Sequence, residues 1–279
     1  MRGMPSLSVP GGSSRTAEEV AARIGAGGRA VVALSGGVDS SVVAALAYSS
    51  LGSDALAVTL YGPAVSRQEV DRARRVAHEI GVEHIVLPVD PLSRVEYREN
   101  RPDRCYFCRV VETSVLQQFG RERSAQQYLD GVHLDDLADD RPGRKAMDDA
   151  GFVHPLLWAG WGKSEVRAEA RHRGLSNWDE PSDACLASRV AHGEPVTVEL
   201  LARIESAEQI VRDLGFRRVR VRVRSGAACI EVDPSEVARI LEEPLAREVV
   251  RTVGAVGFSS VSIDPRGYHG TLVGLPKVP

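Results

Sequence analysis

The chain has 279 residues, of which 43% are hydrophobic and 26% charged, which is enough for a sizeable core in one large domain or two smaller ones. A net charge of −3 gives no general attraction to nucleic acid or an anionic membrane, and no apolar run approaches the length of a membrane span. The four cysteines are too few for a disulfide framework. We therefore expect a cytoplasmic protein with no nucleic-acid or membrane partner.

Strand-like and helix-like segments alternate through the first two thirds of the chain. Residues 1–14, rich in Gly, Ser and Pro, are expected to form a disordered leader. Short apolar runs predict strands at 30–34, 55–60, 84–89, 128–131 and 154–157. Helical spacing predicts helices at 17–24, 42–47, 65–80, about 110–119 and 163–173. The alternation predicts an α/β fold with a doubly wound parallel sheet, in which ligands bind beyond the carboxyl ends of the strands.

The pattern changes after about residue 193. The sequence predicts an amphipathic helix at 197–214, a half-exposed strand at 218–224, a second strand at 228–232 that pairs with it across Ser225-Gly226, a helix at 235–241 and a strand near 261–263. We therefore expect one domain at 15–192 and a smaller α/β domain at 193–279.

The segment that joins the first predicted strand to its helix is Ser35-Gly36-Gly37-Val38-Asp39-Ser40. Two glycines allow a tight turn and a close approach to an anion, and the N-terminus of the following helix favours negative charge. A carboxylate at Asp39 would repel a phosphate unless a cation lies between them, so the segment also predicts Mg²⁺. No Gly-Lys-Ser/Thr follows, which excludes a Walker A loop. An exposed Gly/Ser turn is the alternative, but the order of strand, loop and helix disfavours it.

The cysteines fall into two groups. Cys105 and Cys108 form a Cys-x-x-Cys pair on a predicted loop, which is consistent with a redox dithiol, half of a zinc site or two ligands of an iron–sulfur cluster. Cys185 lies on a polar loop next to Arg189, a setting that favours the thiolate. Cys229 lies in an apolar strand and is interpreted as a packing residue.

Together these motifs resemble the LarE family, the ATP-dependent sulfur transferases that help to build the nickel-pincer nucleotide cofactor. The glycine segment is similar to the signature of the PP-loop ATP pyrophosphatases, which cleave ATP between its α and β phosphates. Further matching pieces lie at residues 100–108, 141–143 (where a turn is predicted), 178–189 and 220–222, in family order. The most specific of them is Ala184-Cys185-Leu186-Ala187-Ser188-Arg189, which other PP-loop enzymes do not carry.

The resemblance implies a two-stage reaction on pyridinium-3,5-biscarboxylic acid mononucleotide. ATP first converts one carboxylate into an acyl-adenylate, and sulfur delivered at Cys185 then displaces AMP. In one type of member the matching cysteine gives up its own sulfur. In the other type three cysteines hold a 4Fe–4S cluster with one open iron, and Cys105, Cys108 and Cys185 could form that set. We favour the cluster type; the alternative is that Cys105 and Cys108 are structural or bind zinc.

The resemblance also assigns roles to other residues. It implies that ATP is bound by Ser35, Gly36, Gly37, Val38, Asp39, Ser40, Thr59, Gly131 and Lys163, with Asp39 and Ser40 counted as catalytic beside Cys185. For Lys163 the alternative is a solvated helix lysine. The resemblance implies that Arg220 and Arg222 bind the substrate phosphate and that Glu208 and Glu231 orient them or the substrate, with solvent-exposed charges as the alternative for both glutamates. Asp135 and Asp136 could assist Mg²⁺, with a surface loop as the alternative. The smaller domain would bind substrate and support homo-oligomer formation.

Two segments depart from the family pattern. Gly131-Val132-His133 stands where members usually have Gly-Thr-Asn, so nucleotide contacts there are open to question. Ala191-His192-Gly193 replaces the usual Pro-Tyr-Gly, and His192 could act as a fourth cluster ligand. The competing functions are another PP-loop enzyme, such as a tRNA thiolase or an ATP-dependent amide synthetase, and a nucleotide or metal sensor without catalysis. The acidic balance disfavours tRNA, and a sensor would not explain the clustered thiols.

Overall fold

The structure is a computed structural model that describes residues 14–137, 142–181 and 183–269. The expected leader lies outside the described residues except for Ser14. The helices within these ranges are α1 (Ala17–Ala26), α2 (Val38–Leu51), α3 (Arg67–Ile80), α4 (Val95–Arg98), α5 (Arg104–Glu122), α6 (Pro142–Asp149), α7 (Pro155–Ala159), α8 (Lys163–His172), α9 (Val198–Asp213), α10 (Val237–Leu241) and α11 (Leu245–Gly254). The strands are β1 (Ala30–Ala33), β2 (Ala55–Tyr61), β3 (Glu83–Pro88), β4 (Gln127–Leu129), β5 (Val219–Arg224), β6 (Ala227–Val232) and β7 (Ser260–Ile263).

The chain divides into two compact units. The first contains the described residues up to Val89 together with Cys105–Asp183, and the second contains Asp90–Arg104 and the described residues from Ala184 onward. The sequence places the boundary at 192/193 instead. The difference arises because Asn100, which is fully buried, donates hydrogen bonds to the carbonyls of Val190 and Ala191. These bonds tie 90–104 to the segment that follows residue 183.

A four-stranded parallel sheet forms the centre of the first unit, in the order β3-β2-β1-β4. β1 pairs in parallel with β2 on one side and with β4 on the other. The predicted α/β fold with a parallel sheet is therefore confirmed. From β1 the chain adds β2 and then β3 on one side of the sheet, and it then places β4 on the other side of β1. The strand order therefore reverses between β1 and β4, and sheets of this type bind ligands at such a point.

At its central strands β1 and β2 this sheet is buried on both faces, as the unbroken apolar runs predict. Successive side chains of β1 point to opposite faces. Val32 packs into a cluster with residues of α1, α2, α3 and α8, whereas Val31 packs with Leu116 and Phe119 of α5 and with Met147 of α6. Because helices cover both sides of the sheet, side chains that serve a ligand are left to the strand ends and loops.

Three local predictions for the first unit are wrong. Cys105 and Cys108 lie in the first turns of α5, not on a loop. Residues 154–157 are not a strand: Pro155 starts α7, and the bridge to β4 is made one residue earlier, by Val153. A short apolar run does not by itself distinguish strand from helix, and a proline at the first helical position decides for the helix here. The predicted turn at 141–143 is the start of α6 at Pro142, with Arg141 outside the described residues.

The second unit contains a three-stranded sheet in the order β5-β6-β7. β5 and β6 are antiparallel, as the turn at Ser225-Gly226 predicts, and β7 is parallel to β6. The prediction of a half-exposed β5 is wrong, because Arg220 and Arg222 are only 5% and 6% exposed. The sequence did not predict helix α11, which packs against α9 and β7.

Among the described helices, none has both the length and the apolar character needed to span a bilayer.

A buried histidine links two elements of the first unit. His154 Nδ1 lies 2.7 Å from Asp130 Oδ1, directly after β4, and Nε2 lies 2.7 Å from Asp148 Oδ1 in α6. Burial lowers the pKa of His154, but the hydrogen bonds that its ring donates to Asp130 and Asp148, with the negative charge of these carboxylates, outweigh this effect and leave the pKa above its usual value. Both ring nitrogens face carboxylate oxygens, so the doubly protonated ring fits the site best.

His154 makes the stability of the protein depend on pH. A raised folded-state pKa means that the contribution of His154 is fully present below its unfolded pKa of about 6.5 and is lost as the pH rises through the folded value. We expect the free energy of unfolding in urea to fall across this range in the wild type and to vary less in His154→Gln. At low pH this variant should lose about 3 kcal/mol, because it leaves Asp130 buried without its cation.

Asp148→Asn is the matched control. The side chain of Asp148 is 40% exposed and that of Asp130 only 8%, so this change should cost no more than about 1 kcal/mol. An unfolding free energy with the same pH dependence in wild type and His154→Gln would contradict the assignment.

Candidate active site

The segment 35–41 forms a compact turn between β1 and α2. Ser35 Oγ and Ser40 Oγ lie 3.1 Å apart, and the hydroxyls of Ser40 and Ser41 both donate to the carbonyl of Gly37. Gly37 caps α2 without a side-chain hydrogen bond to the first turn of the helix. The serines therefore shape the turn, while the N-terminus of α2 has no side-chain cap of its own and suits an anion.

Lys163 lies beside this helix terminus. Its Nζ is 2.7 Å from both carboxylate oxygens of Asp39, and the backbone N–H of Lys163 donates to Asp135 Oδ2. The pair is only partly exposed, so water screens it less than a surface pair. The sequence placed both residues in one nucleotide site, and the structure brings them together.

His133 is inserted among the same carboxylates. Its Nε2 lies 3.7 Å from Asp39 Oδ1 and 3.7 Å from Asp136 Oδ2, and its backbone N–H donates to Asp136 Oδ2. His133 is nine-tenths buried, and its Nδ1 makes no hydrogen bond to any described residue. The carboxylates of Asp39, Asp135 and Asp136 thus gather around one imidazole and one ammonium group.

Two residues hold the turn against the rest of the first unit. A Cβ on Gly131 would lie 2.7 Å from the backbone nitrogen of Ser40, so only glycine allows this approach. Asn177 is fully buried, and its Nδ2 donates to the carbonyl of Gly36 at 2.8 Å and to Ser41 Oγ at 2.9 Å. The sequence pointed to Gly131 but not to Asn177, which is an ordinary polar residue between Ser176 and Trp178.

Thr59 is placed near the turn but turned away from solvent. Its hydroxyl donates to the carbonyl of Leu34 at 2.6 Å, and its oxygen lies 2.8 Å from His84 Nε2. Since the hydroxyl proton goes to Leu34, His84 must donate to Thr59. Burial and Arg74 lower the pKa of His84, which fits a neutral ring. A contact between Thr59 and nucleotide stays a prediction.

Cys105 and Cys108 lie three residues apart on α5, and therefore on one face of that helix. Cys105 is exposed and Cys108 is half-buried, with its Sγ 3.2 Å from Glu112 Oε1. Gly143 at the start of α6 lies against Cys105, and a Cβ there would meet the carbonyl of Cys105 at 3.5 Å. The segment at 142–143 therefore packs beside the thiol pair.

Cys185 lies in the second unit, in a turn that we define as residues 184–190 and call the Cys185 turn. A short 3-10 helix, Leu186–Arg189, follows the cysteine. Arg104 Nη1 donates to the carbonyl of Ala187 at 2.9 Å, and Arg222 Nη1 donates to the carbonyl of Ser188 at 3.0 Å. The structure thus brings the predicted phosphate-binding strand β5 to the Cys185 turn.

Two arginines of β5, with Arg218 just before the strand, form a charged cluster with aromatic and acidic partners. Arg222 Nε donates to Glu231 Oε2 at 3.1 Å. The guanidinium carbons of Arg218, Arg220 and Arg222 lie 3.8, 5.6 and 6.0 Å from the centre of the Tyr268 ring, a cation–π arrangement. Tyr268 was not foreseen, because a single tyrosine near the end of the predicted fold carries no local pattern.

Within the described residues, the structure has one group of three potential metal ligands, Glu231, Asp264 and His269, with ligand atoms within 4.8 Å of one another. Glu231 is already paired with Arg222, and Asp264 with Arg266 at 2.9 Å. We interpret these carboxylates as counterions of arginines. Cys229 is nearby, and burial raises the pKa of its thiol, which agrees with a packing role.

Known proteins share much of this sequence. A model of the NAD synthase family matches residues 16–134. An uncharacterised protein of Synechocystis is 37% identical over 86% of this chain and 90% of its own length. Pyridinium-3,5-bisthiocarboxylic acid mononucleotide synthase of Lactiplantibacillus plantarum is 33% identical over 86% of this chain and 87% of its own length. The tRNA-specific 2-thiouridylase MnmA of Rhizobium rhizogenes is 34% identical over only 43% of this chain and 36% of its own length.

Asn177 should control the shape of the turn at 35–41. Asn177→Ala removes two buried hydrogen bonds and leaves the Gly36 carbonyl without this donor, which should cost about 2 kcal/mol in the free energy of unfolding. It should also weaken the binding of inorganic pyrophosphate in calorimetry. Ser176→Ala, at an exposed neighbour, should change stability by less than about 0.5 kcal/mol. Equal stability and equal affinity in the two variants would rule out this role.

Proposed function

The chain belongs to the LarE family of pyridinium-3,5-bisthiocarboxylic acid mononucleotide synthases, and we propose that it uses ATP to insert sulfur into a carboxylate of pyridinium-3,5-biscarboxylic acid mononucleotide. The observation that carries the proposal is the meeting of Lys163 with Asp39 at the N-terminus of α2, beside the change in strand order of the parallel sheet. This is a phosphate site with the charges that nucleotide cleavage needs. The similarity to the synthase covers 86% of the chain, more than either unit alone contains.

In the first step a carboxylate oxygen of the substrate attacks the α-phosphorus of ATP. The bond to the β-phosphate oxygen breaks, pyrophosphate leaves and an acyl-adenylate remains. Backbone N–H groups at the start of α2 would bind phosphate oxygens, and the Lys163 ammonium would neutralise charge on the leaving group. The carboxylate oxygens of Asp39, with Asp135 and Asp136 nearby, are the donors that Mg²⁺ prefers, and Mg²⁺ bound there would supply further neutralisation.

In the second step a sulfur delivered at Cys185 attacks the acyl carbon and AMP leaves. If Cys185 gives up its own sulfur, its Cβ–Sγ bond then breaks with loss of the α-proton, which leaves dehydroalanine. Arg220 and Arg222 would bind the substrate phosphate. Arg222 also contacts the carbonyl of Ser188, so phosphate binding would be coupled to the Cys185 turn.

For the sulfur source we propose an iron–sulfur cluster. The two thiols of α5 share one helix face, one exposed and one half-buried, so both sulfurs can reach iron. Cys105, Cys108 and Cys185 would hold a 4Fe–4S cluster, whose open iron would carry the sulfide. His192 is exposed, and its Nδ1 lies 3.4 Å from the carbonyl of Asn100, so Nε2 is the nitrogen with which it would act as a fourth ligand.

Homo-oligomer formation and a cytoplasmic location, which suits free thiols and ATP, remain part of this proposal. A tRNA-thiolating activity is the second candidate, because of the similarity to the thiouridylase over 43% of the chain. The experiments below separate the two, since a thiolase would release pyrophosphate with tRNA and not with the mononucleotide.

Replacing the sulfur-bearing residue should separate the two steps. With ATP and the mononucleotide, we expect Cys185→Ser to release pyrophosphate within about threefold of the wild-type rate while the thiocarboxylate product, followed by mass spectrometry, becomes undetectable. Cys229→Ser is the matched control and should keep both activities. A wild-type protein that releases no pyrophosphate with this substrate, or a Cys185→Ser variant that forms product, would overturn the proposed function.

The sulfur source should be visible in the purified protein. After anaerobic reconstitution we expect about four irons and four sulfides per chain and a visible absorption band. Cys105→Ser and Cys108→Ser should each lose most of both, whereas Cys229→Ser should lose neither. A colourless wild type whose intact mass falls by one sulfur after turnover would show instead that Cys185 is consumed.

A further inference from the structure

Arg189 is a charged side chain in the interior of the second unit. It ends the 3-10 helix that follows Cys185 and is only 2% exposed. A guanidinium group cannot lose its proton in a protein, so its burial is unfavourable unless several partners accept its hydrogen bonds. The partners of Arg189 therefore show what the buried charge is used for.

One edge of the guanidinium faces α9. Arg189 Nε lies 2.8 Å from Glu208 Oε1, and Nη2 lies 3.2 Å from Glu208 Oε2. This two-point contact fixes the plane of the guanidinium group as well as its position. Both side chains are at most 2% exposed, so solvent does not loosen the pair.

The other end of the same group binds the backbone around the cysteine. Arg189 Nη1 donates to the carbonyls of Ala184 and Cys185 and to Ser188 Oγ. The carbonyls on both sides of the Cys185 α-carbon are thus held by one nitrogen. With that backbone fixed, the sulfur can occupy only the few positions that rotation about the Cα–Cβ bond allows.

Glu208 has little capacity left for any other partner. Besides Arg189, its Oε1 accepts the backbone N–H of Val221 at 3.1 Å, and its Oε2 accepts Arg212 Nη2 at 2.7 Å. The residue is fully buried in α9. The resemblance gave Glu208 a role in orienting the β5 arginines or the substrate, but its hydrogen bonds go to Arg189, Arg212 and the backbone of β5.

We propose that Arg189 is a positioning residue that holds the backbone of Cys185 for sulfur transfer, and that Glu208 acts by orienting Arg189. The inference rests on the proposed role of Cys185. Holding the Cys185 sulfur in a restricted set of positions favours transfer, because less orientational freedom is lost at the moment of reaction. This applies if Cys185 gives up its own sulfur, and equally if Cys185 holds the cluster that would carry the sulfide. Formation of the acyl-adenylate needs no sulfur and is independent of Arg189.

The test compares Arg189→Lys with Arg212→Lys. Both changes keep the positive charge and remove one arginine from Glu208, but among the described residues Arg212 makes no hydrogen bond to the Cys185 turn. Each variant is assayed for pyrophosphate release, for thiocarboxylate formation and for the rate at which iodoacetamide labels Cys185 and Cys229, read by peptide mass spectrometry. The labelling uses protein before reconstitution, in which Cys185 carries no iron.

For Arg189→Lys we expect thiocarboxylate formation to fall at least thirtyfold while pyrophosphate release stays within threefold of wild type. Labelling of Cys185 should become at least fivefold faster, because the released turn exposes the thiol more often, and labelling of Cys229 should stay within twofold. Arg212→Lys should stay within threefold in every readout. Glu208→Gln should reproduce the Arg189→Lys pattern, and the double variant should be no worse than the poorer single variant.

The proposal is overturned if Arg189→Lys forms product within threefold of wild type. It is also overturned if Cys229 becomes reactive together with Cys185, since Arg189 would then only support the fold, or if Glu208→Gln mainly raises the KM for the mononucleotide. Failure of the proposed function would look different, as wild-type protein would form no product, while the labelling rates would still report on the turn.

Discussion

Charge that is buried must be paired, and this requirement shapes the Cys185 turn. The guanidinium of Arg189 is nearly inaccessible to solvent, and its hydrogen bonds reach both the Glu208 carboxylate and the carbonyls beside Cys185. A lysine would bring the same charge but not the fixed fork that joins α9 to the backbone. The same condition holds for Arg222, whose Nε pairs with Glu231 while its Nη1 reaches Ser188.

The first unit also pairs its charged side chains, but one of these pairs lies at a site that is more accessible to solvent. Asp39 is paired with Lys163 but remains partly accessible, as the proposed phosphate and metal site requires. Asp130 is held by His154 just before Gly131, which keeps the end of β4 in place where its backbone meets Ser40. The buried Asp130–His154 pair thus lies behind the glycine turn, and the partly accessible Asp39–Lys163 pair lies at its surface.

This division agrees with a reaction in two stages. The first unit contains the N-terminus of α2 with Lys163 beside it, to which we assign the proposed activation by ATP. The second unit contains Cys185 and the β5 arginines, to which we assign the proposed sulfur transfer and the binding of the substrate phosphate. The matched segment 178–189 crosses from one unit to the other.

The sequence by itself determined the parallel α/β sheet, the glycine turn between β1 and α2 and the pairing of β5 with β6, because these features depend on residues close together in the chain. The helical setting of Cys105 and Cys108 and the start of α7 at Pro155 were missed, since short runs are compatible with more than one local structure. Only the tertiary structure decided that Arg220 and Arg222 are buried, that Asn177 holds Gly36 and that Glu208 serves Arg189. Each of these depends on partners far away in the chain, and alternation of charged and apolar residues does not indicate whether a neighbouring element covers the charged side.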